Sequence, residues 1–480
     1  MALENLQPQE VFTFFEKLCS IPHGSYNLQQ ISDYLVSFAK ERNLEVTQDK
    51  ELNVIIKAPG TAGYEDKEPV ILQGHMDMVA VKDDSTDIDM KTEGLKVTTD
   101  GEYVFAEGTS LGGDDGIAVA YCLALLDSKT IPHPPLEVVI TTNEETGMDG
   151  AAAIDLSGLK GKKMINIDNE VEGQFITSCA GGARVYSKLP VTRDVTFAGA
   201  KVLSVKVEGL LGGHSGEMIK CGRGNANIIL ARTLLEAGDK VNLNLISIDG
   251  GSADNAIPSS AEAQIVIGNR DLETFKECVS ATEAAIKGEL EVKDPGLKIT
   301  VSEVESSFDK AIIADDTKNV LTMICTMPDG VQAMSSAVEG LVETSLNLGI
   351  VVTKETEITL EQSVRSSVES SKDYLIRKLK NIASLFGAGV EISGKYPGWK
   401  FRQTSELRDH MVAVYRDMYG KEPRIEAIHA GLECGILSDK IKDLDCISIG
   451  PDMEDIHSPK ERLSVKSTAN VWEYLKAVLK

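Results

Sequence analysis

Side chains that commonly bind metal ions follow four apolar segments of this 480-residue sequence. Imidazole and carboxylate groups are ligands that zinc takes in proteins, and three of them can hold one ion while a position stays open for water. The chain has seven histidines in all, and two of them lie in such positions. The pattern therefore predicts a metal site. The segments and their side chains are Val70–Gln73 with His75 and Asp77, Leu136–Thr142 with Glu144 and Glu145, Lys163–Ile167 with Asp168, and Asp445–Ile449 with Asp452, Asp455 and His457.

A further acidic pair, Asp114 and Asp115, lies where a helix over 116–127 is predicted to begin. The free backbone amides and the dipole of a helix favour a carboxylate at that end. With this pair the set could hold two ions, one carboxylate bridging them. Each acidic residue alone fits a solvated surface, and His75 alone fits a hydrogen-bonded structural histidine. The combination at successive segment ends favours the metal site.

The segments that must position these residues alternate strand and helix patterns over the first 183 residues, which indicates an α/β domain with a mostly parallel sheet. Ligands of such sheets bind beyond the carboxyl ends of the strands, so the side chains should converge. The rhythm changes to α+β over 184–397 and returns to α/β over 398–480. Within 184–397 a strand, an arginine (Arg270 or Arg365) and a helix occur twice, which suggests internal doubling.

Composition limits the possible function classes. The sequence is 42% hydrophobic, as in globular proteins, and its formal net charge is −25 without any block of Lys and Arg. Binding to nucleic acid or to an anionic membrane is therefore disfavoured. The beginning of the chain lacks the pattern of a signal peptide, and no apolar run approaches the ~20 residues of a membrane span. The eight scattered cysteines fit reduced thiols. A cytoplasmic protein is expected.

Seven segments, in order along nearly the whole chain, resemble those of the aminoacyl-histidine dipeptidases. This family is also called Xaa-His dipeptidase, peptidase D or cytosol non-specific dipeptidase, and its di-zinc superfamily includes carboxypeptidase G, carnosinase, peptidase T and aminoacylase. The resemblance implies a zinc-peptidase catalytic domain over 1–183 and 398–480, interrupted by an inserted lid domain over 184–397. The segments are GHMDMV (74–79), SLGGDDGIA (110–118), TNEETGMDGA (142–151), INIDNEVEG (165–173), GGHSGEMIKCGRGNA (212–226), HAGLECG (429–435) and IGPDMEDIHSP (449–459).

The resemblance also implies two zinc ions, with cobalt or manganese as alternatives. In several relatives the bridging aspartate is followed by Asn, or by Asp and then Lys. This chain instead has Asp114, Asp115 and Gly116. Asp114 follows the LGG turn as the relatives' bridge does, and Asp115 is the alternative. The implied metal ligands are His75, Asp114 as the bridge, Glu145, Asp168 and His457.

Two further carboxylates receive catalytic roles from the resemblance. Glu144 corresponds to the general base and Asp77 to the carboxylate that orients the His75 ring. Chemistry supports this division, because adjacent residues on an extended backbone point in opposite directions, so that Glu145 can bind metal while Glu144 faces water. His75 and Asp77 lie two residues apart and share a side, which suits a carboxylate that orients an imidazole ligand.

In the insertion, His214 matches a family histidine that reaches the substrate carbonyl, where an imidazole donor would stabilise the developing oxyanion. The alternative is a loop histidine between turn glycines. Asn255 and Arg365 are candidates for holding the ends of the substrate, with a helix cap or a surface ion pair as alternatives. Gly431 is expected to line the cleft. His23, His133 and His410 are interpreted as structural or surface residues, and the cysteines as packing residues.

These observations predict a metallodipeptidase that hydrolyses the peptide bond of unblocked dipeptides, Xaa-His and broader. One alternative is an amidohydrolase or carboxypeptidase of the same superfamily that acts on N-acyl amino acids or longer peptides. The non-enzymatic alternative is a metal-binding scaffold, which would have no use for a Glu144 that binds no metal. The expected partner is a dipeptide substrate, with neither nucleic acid nor membrane, and a homodimer is expected.

Overall fold

The computed structural model describes residues 2–195, 200–305 and 310–480. Two compact units form, and the second is inserted in the sequence of the first. Residues 180–183 and 428–431 belong to the second unit, outside the predicted 184–397, because Ala180 N donates to Ala430 O and the two segments stay together. The first unit is Met1–Cys179, Trp399–Ala427 and Leu432–Lys480, and the second is Ala180–Gly398 and Ile428–Gly431.

The first segment of the first unit alternates helices and strands, as its apolar pattern predicts. The helix Gly113–Asp127 is buried on nearly all sides, which its sequence GIAVAYCLALL explains, since a helix that is apolar on every face is covered on every face. The elements are α1 (Gln9–Cys19), α2 (Gln29–Glu41), β1 (Glu45–Gln48), β2 (Val54–Ala58), β3 (Val70–His75), β4 (Val97–Thr99), β5 (Tyr103–Ala106), α3 (Gly113–Asp127), β6 (Leu136–Thr141), α4 (Asp149–Ala153), β7 (Lys163–Asn166) and β8 (Gln174–Cys179).

The second unit is α+β and consists of longer antiparallel strands and four α-helices among its described residues. Short 3-10 helices occur at Ile219–Cys221 and Asn269–Asp271. The elements are β9 (Gly181–Pro190), β10 (Arg193–Val195), β11 (Ala200–Glu208), β12 (Gly213–His214), α5 (Ala226–Gly238), β13 (Leu243–Gly250), β14 (Ala256–Ile257), β15 (Ala261–Gly268), α6 (Leu272–Glu289), β16 (Lys298–Glu303), β17 (Lys310–Ile312), α7 (Ala314–Thr326), β18 (Gly330–Met334), β19 (Val342–Thr353), β20 (Glu357–Ser366), α8 (Glu369–Leu385) and β21 (Gly389–Tyr396).

The chain then returns to the first unit and completes its sheet. Residues of the last helix, Val465–Leu479, pack in the same apolar core as α1 and α3. None of the helices in the described ranges combines the length and apolar character that a membrane crossing requires. The elements are α9 (Glu406–Tyr419), β22 (Arg424–Ile428), α10 (Glu433–Lys440), β23 (Asp445–Ser448), β24 (Met453–Glu454), β25 (Arg462–Ser464) and α11 (Val465–Leu479).

An eight-stranded sheet of the first unit positions the predicted ligands. Its order is β1-β2-β6-β3-β7-β23-β8-β22, and the central strands β6, β3, β7 and β23 are mutually parallel. These four strands are buried almost throughout, as expected of parallel strands covered on both faces. Their carboxyl ends therefore meet at one edge, and all four predicted ligand-bearing segments leave the sheet there.

The nine-stranded sheet of the second unit supports the suggested internal doubling. One half runs β11-α5-β13-β15-α6-β16, and the other runs β9-α7-β19-β20-α8-β21. The strands of each half are numbered first to fourth in chain order. Counted from the outer edge of the sheet, both halves then have the order fourth, first, third, second, which is β16-β11-β15-β13 in one half and β21-β9-β20-β19 in the other. The halves join where β13 pairs with β19, at Gly250 and Val351. The first half is thus inserted between β9 and α7 of the second.

Candidate functional site

The parallel strands bring the predicted metal ligands of the first unit together. His75 is the last residue of β3, and Glu145 lies in the turn after β6. Asp168 follows β7, and His457 lies in the loop after β24. Asp114 lies in the first turn of α3, where its ψ of 105° is not helical. Strand β3 extends two residues beyond its predicted end.

Four short contacts divide these five residues into two groups of three that share Asp114. His75 Nε2 lies 3.1 Å from Asp114 Oδ1 and 3.5 Å from Asp168 Oδ1. His457 Nε2 lies 3.2 Å from Asp114 Oδ2 and 2.9 Å from Glu145 Oε2. Asp114 therefore presents one carboxylate oxygen to each histidine, which is the arrangement of a bridging ligand.

These distances fit divalent metal ions. Ligand atoms about 2.0–2.1 Å from a tetrahedral zinc lie about 3.3 Å from one another. The observed separations of 2.9–3.5 Å between donor atoms match that edge length. His75 with Asp114 and Glu145, and His75 with Asp115 and Asp168, also lie within 4.8 Å of each other by their ligand atoms. The donor set is therefore suited to zinc or a similar ion.

The charges of the cluster point the same way. Burial lowers the pKa of His75, but hydrogen bonds to Asp114, Asp168 and Asp77 outweigh it and hold this pKa well above its usual value. Hydrogen bonds to Asp114 and Glu145 raise the pKa of His457 to about 10. Burial raises the pKa of Asp168 to about 8, against the influence of His75. A buried concentration of carboxylates requires positive charge, which protons or metal ions can supply.

Asp115, the alternative bridge, occupies a different position from Asp114. It is fully buried, and its Oδ2 accepts a hydrogen bond from the backbone N of His75 at 3.2 Å. A side chain at Gly74 would lie 2.5 Å from the same oxygen, so glycine is required there. Burial raises the pKa of Asp115 well above its usual value, and the charge of Asp168 adds to this rise. Asp115 thus holds the end of strand β3 through the backbone of His75, whereas Asp114 faces both histidines.

Asp77 organises the segment around the two glutamates. Its Oδ1 accepts from Glu144 N at 3.0 Å, and its Oδ2 accepts from Ser25 Oγ at 2.8 Å and lies 3.4 Å from Glu145 N. His75 Nδ1 is 3.0 Å from the Asp77 backbone carbonyl and 3.5 Å from its carboxylate. The carbonyl is therefore the nearer partner of the ring, and the carboxylate mainly holds the backbone that presents Glu144 and Glu145.

The extended backbone assumed for Glu144 and Glu145 is wrong, because residues 144–147 form a turn in which Gly147 N donates to Glu144 O. The two carboxylates nevertheless differ in their surroundings. Glu145 contacts His457, while Glu144 belongs to neither group of potential metal ligands. Burial raises the pKa of Glu144 well above its usual value, and Asp168 is among the charges that contribute.

Glu433, at the start of α10, is a buried acid that sequence reasoning missed. Its Oε2 accepts hydrogen bonds from Gln73 Nε2 and Thr141 Oγ1, both at 2.6 Å. Gln73 Oε1 in turn accepts from Asn166 Nδ2 at 2.6 Å. This network links the carboxyl ends of β3, β6 and β7, and burial raises the pKa of Glu433 to about 7. The sequence signal for this network was a polar residue, Gln73, Thr141 or Asn166, in each of three otherwise apolar strands.

The second unit contains its own cluster of the predicted substrate residues. His214 ends β12 and pairs in register with Ala256, directly after Asn255. Asn255 is exposed, and its carbonyl accepts from Ser215 N at 2.7 Å. Asn255 precedes a strand, so a helix-cap role is excluded. Burial lowers the pKa of His214, and the charge of Arg365 lowers it further.

Arg365 lies in β20 and is only 9% exposed. Its Nε has no hydrogen-bond partner in the described part of the chain, and no ion pair forms with it there. The surface ion pair considered from the sequence is therefore excluded. His429, which sequence reasoning left without a role, donates to or accepts from Ser345 Oγ at 2.7 Å. Burial lowers the pKa of His429 to about 4, and the charge of Arg365 contributes.

The remaining predicted residues have simpler surroundings. A side chain at Gly431 would lie 3.0 Å from the Tyr396 ring, so a larger residue there would have to displace that ring slightly. Its predicted substrate contact stays a prediction. Cys221 is exposed, so the interpretation of every cysteine as a packing residue is wrong at that position. The other three histidines bond backbone carbonyls, namely His23 with Ile21 O, His133 with Pro134 O and His410 with Val478 O.

Comparisons with known proteins identify the family of this chain. Residues 71–480 match the model of peptidase family M20/M25/M40. The cytosol non-specific dipeptidase of Escherichia coli strain K12 is 38% identical over 479 residues, covering 100% of this chain and 98% of that protein. The crystal structure of aminoacylhistidine dipeptidase from Vibrio alginolyticus has a TM-score of 0.95 and 37% identity, covering 100% and 98% of the two chains.

A more distant structure shares the fold. The aminopeptidase PepT from Bacillus cereus has a TM-score of 0.57 and 16% identity, with 99% of this chain and 98% of that chain covered. The family model covers most of this chain, and the full-length relatives cover all of it. This chain belongs to peptidase family M20/M25/M40.

Proposed function

We propose that this protein is a dipeptidase that hydrolyses the peptide bond of unblocked dipeptides with two divalent metal ions. The observation that carries the proposal is the division of five ligands into two groups that share Asp114, with donor separations of 2.9–3.5 Å. The full-length relatives named cytosol non-specific dipeptidase and aminoacylhistidine dipeptidase support the substrate class.

His75, Asp114 and Asp168 would hold one ion, and Asp114, Glu145 and His457 would hold the other. Zinc is the proposed metal, since imidazole and carboxylate ligands with open positions suit its catalytic sites. When bound, such ions supply Lewis acidity that acidifies water and polarises a carbonyl group. Asp77 and Asp115 hold the backbone that presents these ligands, through their bonds to Glu144 N and His75 N.

Glu144 is the proposed general base. Its carboxylate would take a proton from the attacking water and return it to the leaving amine. The turn after β6 presents Glu144 beside the ligands, and Asp77 fixes its backbone amide at 3.0 Å. Burial raises the pKa of Glu144, and a raised pKa makes a carboxylate a stronger base.

Residues of the second unit would bind the substrate and stabilise the charge that develops on it. His214 would donate to the carbonyl oxygen as negative charge develops on it. Arg365 would bind the terminal carboxylate, since a guanidinium can donate two parallel hydrogen bonds to it. A buried guanidinium whose Nε lacks a partner among the described residues supports this role. Asn255 would hold the other end of the substrate, and the backbone at Gly431 would line its path.

The experiment is a dipeptide panel assayed with zinc-loaded protein, including Xaa-His dipeptides and N-acetylated versions of each. Free amino acids should appear from the unblocked dipeptides, and the N-acetylated versions should react far more slowly. Preferred hydrolysis of N-acyl amino acids or of longer peptides would favour the related amidohydrolase or carboxypeptidase instead. Metal binding without hydrolysis of any of these compounds would favour the scaffold. The cytoplasmic location and the homodimer stay predictions.

A further inference from the structure

Glu461 is a buried acid of the first unit that neither the sequence motifs nor the proposed mechanism uses. Its side chain is 3% exposed and receives backbone hydrogen bonds from four successive residues. Leu111 N and Gly112 N donate to Oε2 at 2.7 and 3.0 Å, while Gly113 N and Asp114 N donate to Oε1 at 2.8 and 3.3 Å. No lysine or arginine in the described ranges pairs with it, so these amides alone compensate its charge.

The loop that Glu461 binds has a conformation suited to a carboxylate. Gly112 adopts a positive φ of 69°, a conformation that favours glycine. A side chain at Gly113 would lie 3.2 Å from Glu461 Oε1, so glycine also gives the carboxylate room to approach. The free amides at the beginning of α3 are the donors that a helix leaves unpaired, and they attract negative charge. Glu461 thus fixes the backbone that directly precedes the bridging side chain.

The same segment also carries a metal ligand. His457 lies four residues before Glu461, and Glu461 N donates to Ser458 O at 3.1 Å, which closes the turn between them. After Glu461, β25 pairs with β5, with Arg462 opposite Phe105. The two sides of the 3.2 Å contact between His457 and Asp114 are therefore tied to each other through one carboxylate.

We propose that Glu461 is a positioning residue of the metal centre, whose carboxylate holds the Leu111–Asp114 backbone so that Asp114 faces His75 and His457 before metal binds. This inference rests on the proposed metal-dependent function. A residue that only caps α3 would contribute to folding stability but would leave the metal affinity of the folded protein unchanged. A positioning residue must change that affinity, because it orients a ligand shared by both ions.

The test compares zinc dissociation constants, measured by competition with a chelator, for the wild type, Glu461→Gln and Glu454→Gln. The amide of glutamine has one acceptor oxygen and an NH₂ group that would face the backbone N–H groups. Glu461→Gln should therefore weaken zinc binding about 10- to 100-fold, the usual effect of losing a partner that orients metal ligands. Glu454→Gln is the matched control, since Glu454 pairs with the Arg462 and Tyr103 side chains, and its zinc affinity should be that of the wild type.

A second measurement does not depend on any variant. In zinc-free wild-type protein, the amides of residues 111–114 should be protected from hydrogen exchange, because Glu461 and not the metal binds them. Fast exchange at these amides that slows only after zinc is added would overturn the proposal. So would an unchanged zinc affinity of Glu461→Gln with a lowered melting temperature. Neither readout uses dipeptide turnover, so an inactive wild type would refute the dipeptidase proposal and leave the role of Glu461 standing.

Discussion

The histidines of the two candidate residue groups, His75 and His457 in the first unit and His214 and His429 in the second, differ in the direction of their pKa shifts. In the first unit, carboxylates raise the pKa values of His75 and His457. In the second, burial and then the charge of Arg365 lower those of His214 and His429. The first group is rich in negative charge and is suited to cations. The second has a buried positive charge on Arg365, whose Nε lacks a hydrogen-bond partner among the described residues, and it is suited to an anion.

The proposed mechanism assigns different steps to these two groups of residues. Changes in the acidic group should alter metal binding, or proton transfer at Glu144, whereas changes in the basic group should leave metal content intact. Kinetic measurements therefore need to be combined with measurements of metal content. A variant of one group that behaves like a variant of the other would break the comparison.

The largest effect is expected from metal removal. Excess chelator should abolish hydrolysis of dipeptides, because all five ligands converge on the ions and no other described group could replace their Lewis acidity. Adding zinc should restore the activity. Metal analysis of zinc-replete protein should give up to two ions per chain. Full activity in excess chelator, with no metal bound, would contradict both the ligand assignment and the proposed mechanism.

Replacing the proposed base should give the next largest effect. Glu144→Gln should lower kcat by at least about 10²-fold, the lower bound for losing a positioned acid–base group, while both metals remain bound. Glu145→Gln is the matched variant one residue away, and it should weaken metal binding because Glu145 contacts His457 at 2.9 Å. Equal loss of metal in both variants, with near-normal turnover by Glu144→Gln, would reverse the assignment.

His214 should give a similar or smaller effect with a different signature. His214→Ala should lower kcat by roughly 10²-fold, as expected for losing an oxyanion donor, and metal content should stay unchanged. His410→Ala serves as the control, since His410 bonds the Val478 carbonyl and should not affect turnover. A raised KM with normal kcat would indicate a binding role for His214. Wild-type turnover by His214→Ala would show that His214 is a loop residue without a catalytic role.

The acidic group could be predicted from the sequence because most of its ligands lie next to recognisable apolar strands. Four of the five ligands lie at or beyond the carboxyl ends of parallel strands, which share one edge of the sheet, so order along the chain predicts proximity in space. The fifth, Asp114, lies in the first turn of α3. The sequence favoured Asp114 as the bridge and kept Asp115 as the alternative. Both belong to the same short segment, and only the backbone around them shows that Asp114 faces the histidines while Asp115 bonds His75 N.

The sequence patterns missed one local turn and several contacts between residues far apart in the chain. Glu144 and Glu145 were assigned an extended backbone because the preceding residues form a strand, but the strand ends at Thr141 and a turn follows. Glu461 binds amides about 350 positions earlier in the chain, and its neighbours in sequence give no sign of that partner. His429 becomes notable only because Arg365 lies close enough to lower its pKa. Such residues acquire a role from tertiary structure alone.

The doubled topology of the second unit offers a sharp control for the smallest predicted effect. Arg270 follows the third strand of one half, and Arg365 lies in the third strand of the other. Arg270 is exposed and Arg365 is buried. The same secondary-structure pattern therefore places an arginine in two different environments, and only the buried one is expected to bind substrate.

Arg365→Gln should raise KM for dipeptides about 10- to 100-fold, because a charge-assisted hydrogen bond contributes roughly 1.5–3 kcal/mol. Arg270→Gln should leave KM unchanged, and both variants should keep the metal content of the wild type. A dipeptide whose terminal carboxylate is replaced by an amide should bind weakly to the wild type. Its binding to Arg365→Gln should be only slightly weaker. The melting temperature should not fall, since the variant removes a buried charge without a carboxylate partner in the described chain. An equal loss with the amide and the free dipeptide would mean that Arg365 shapes the second unit and does not bind the carboxylate.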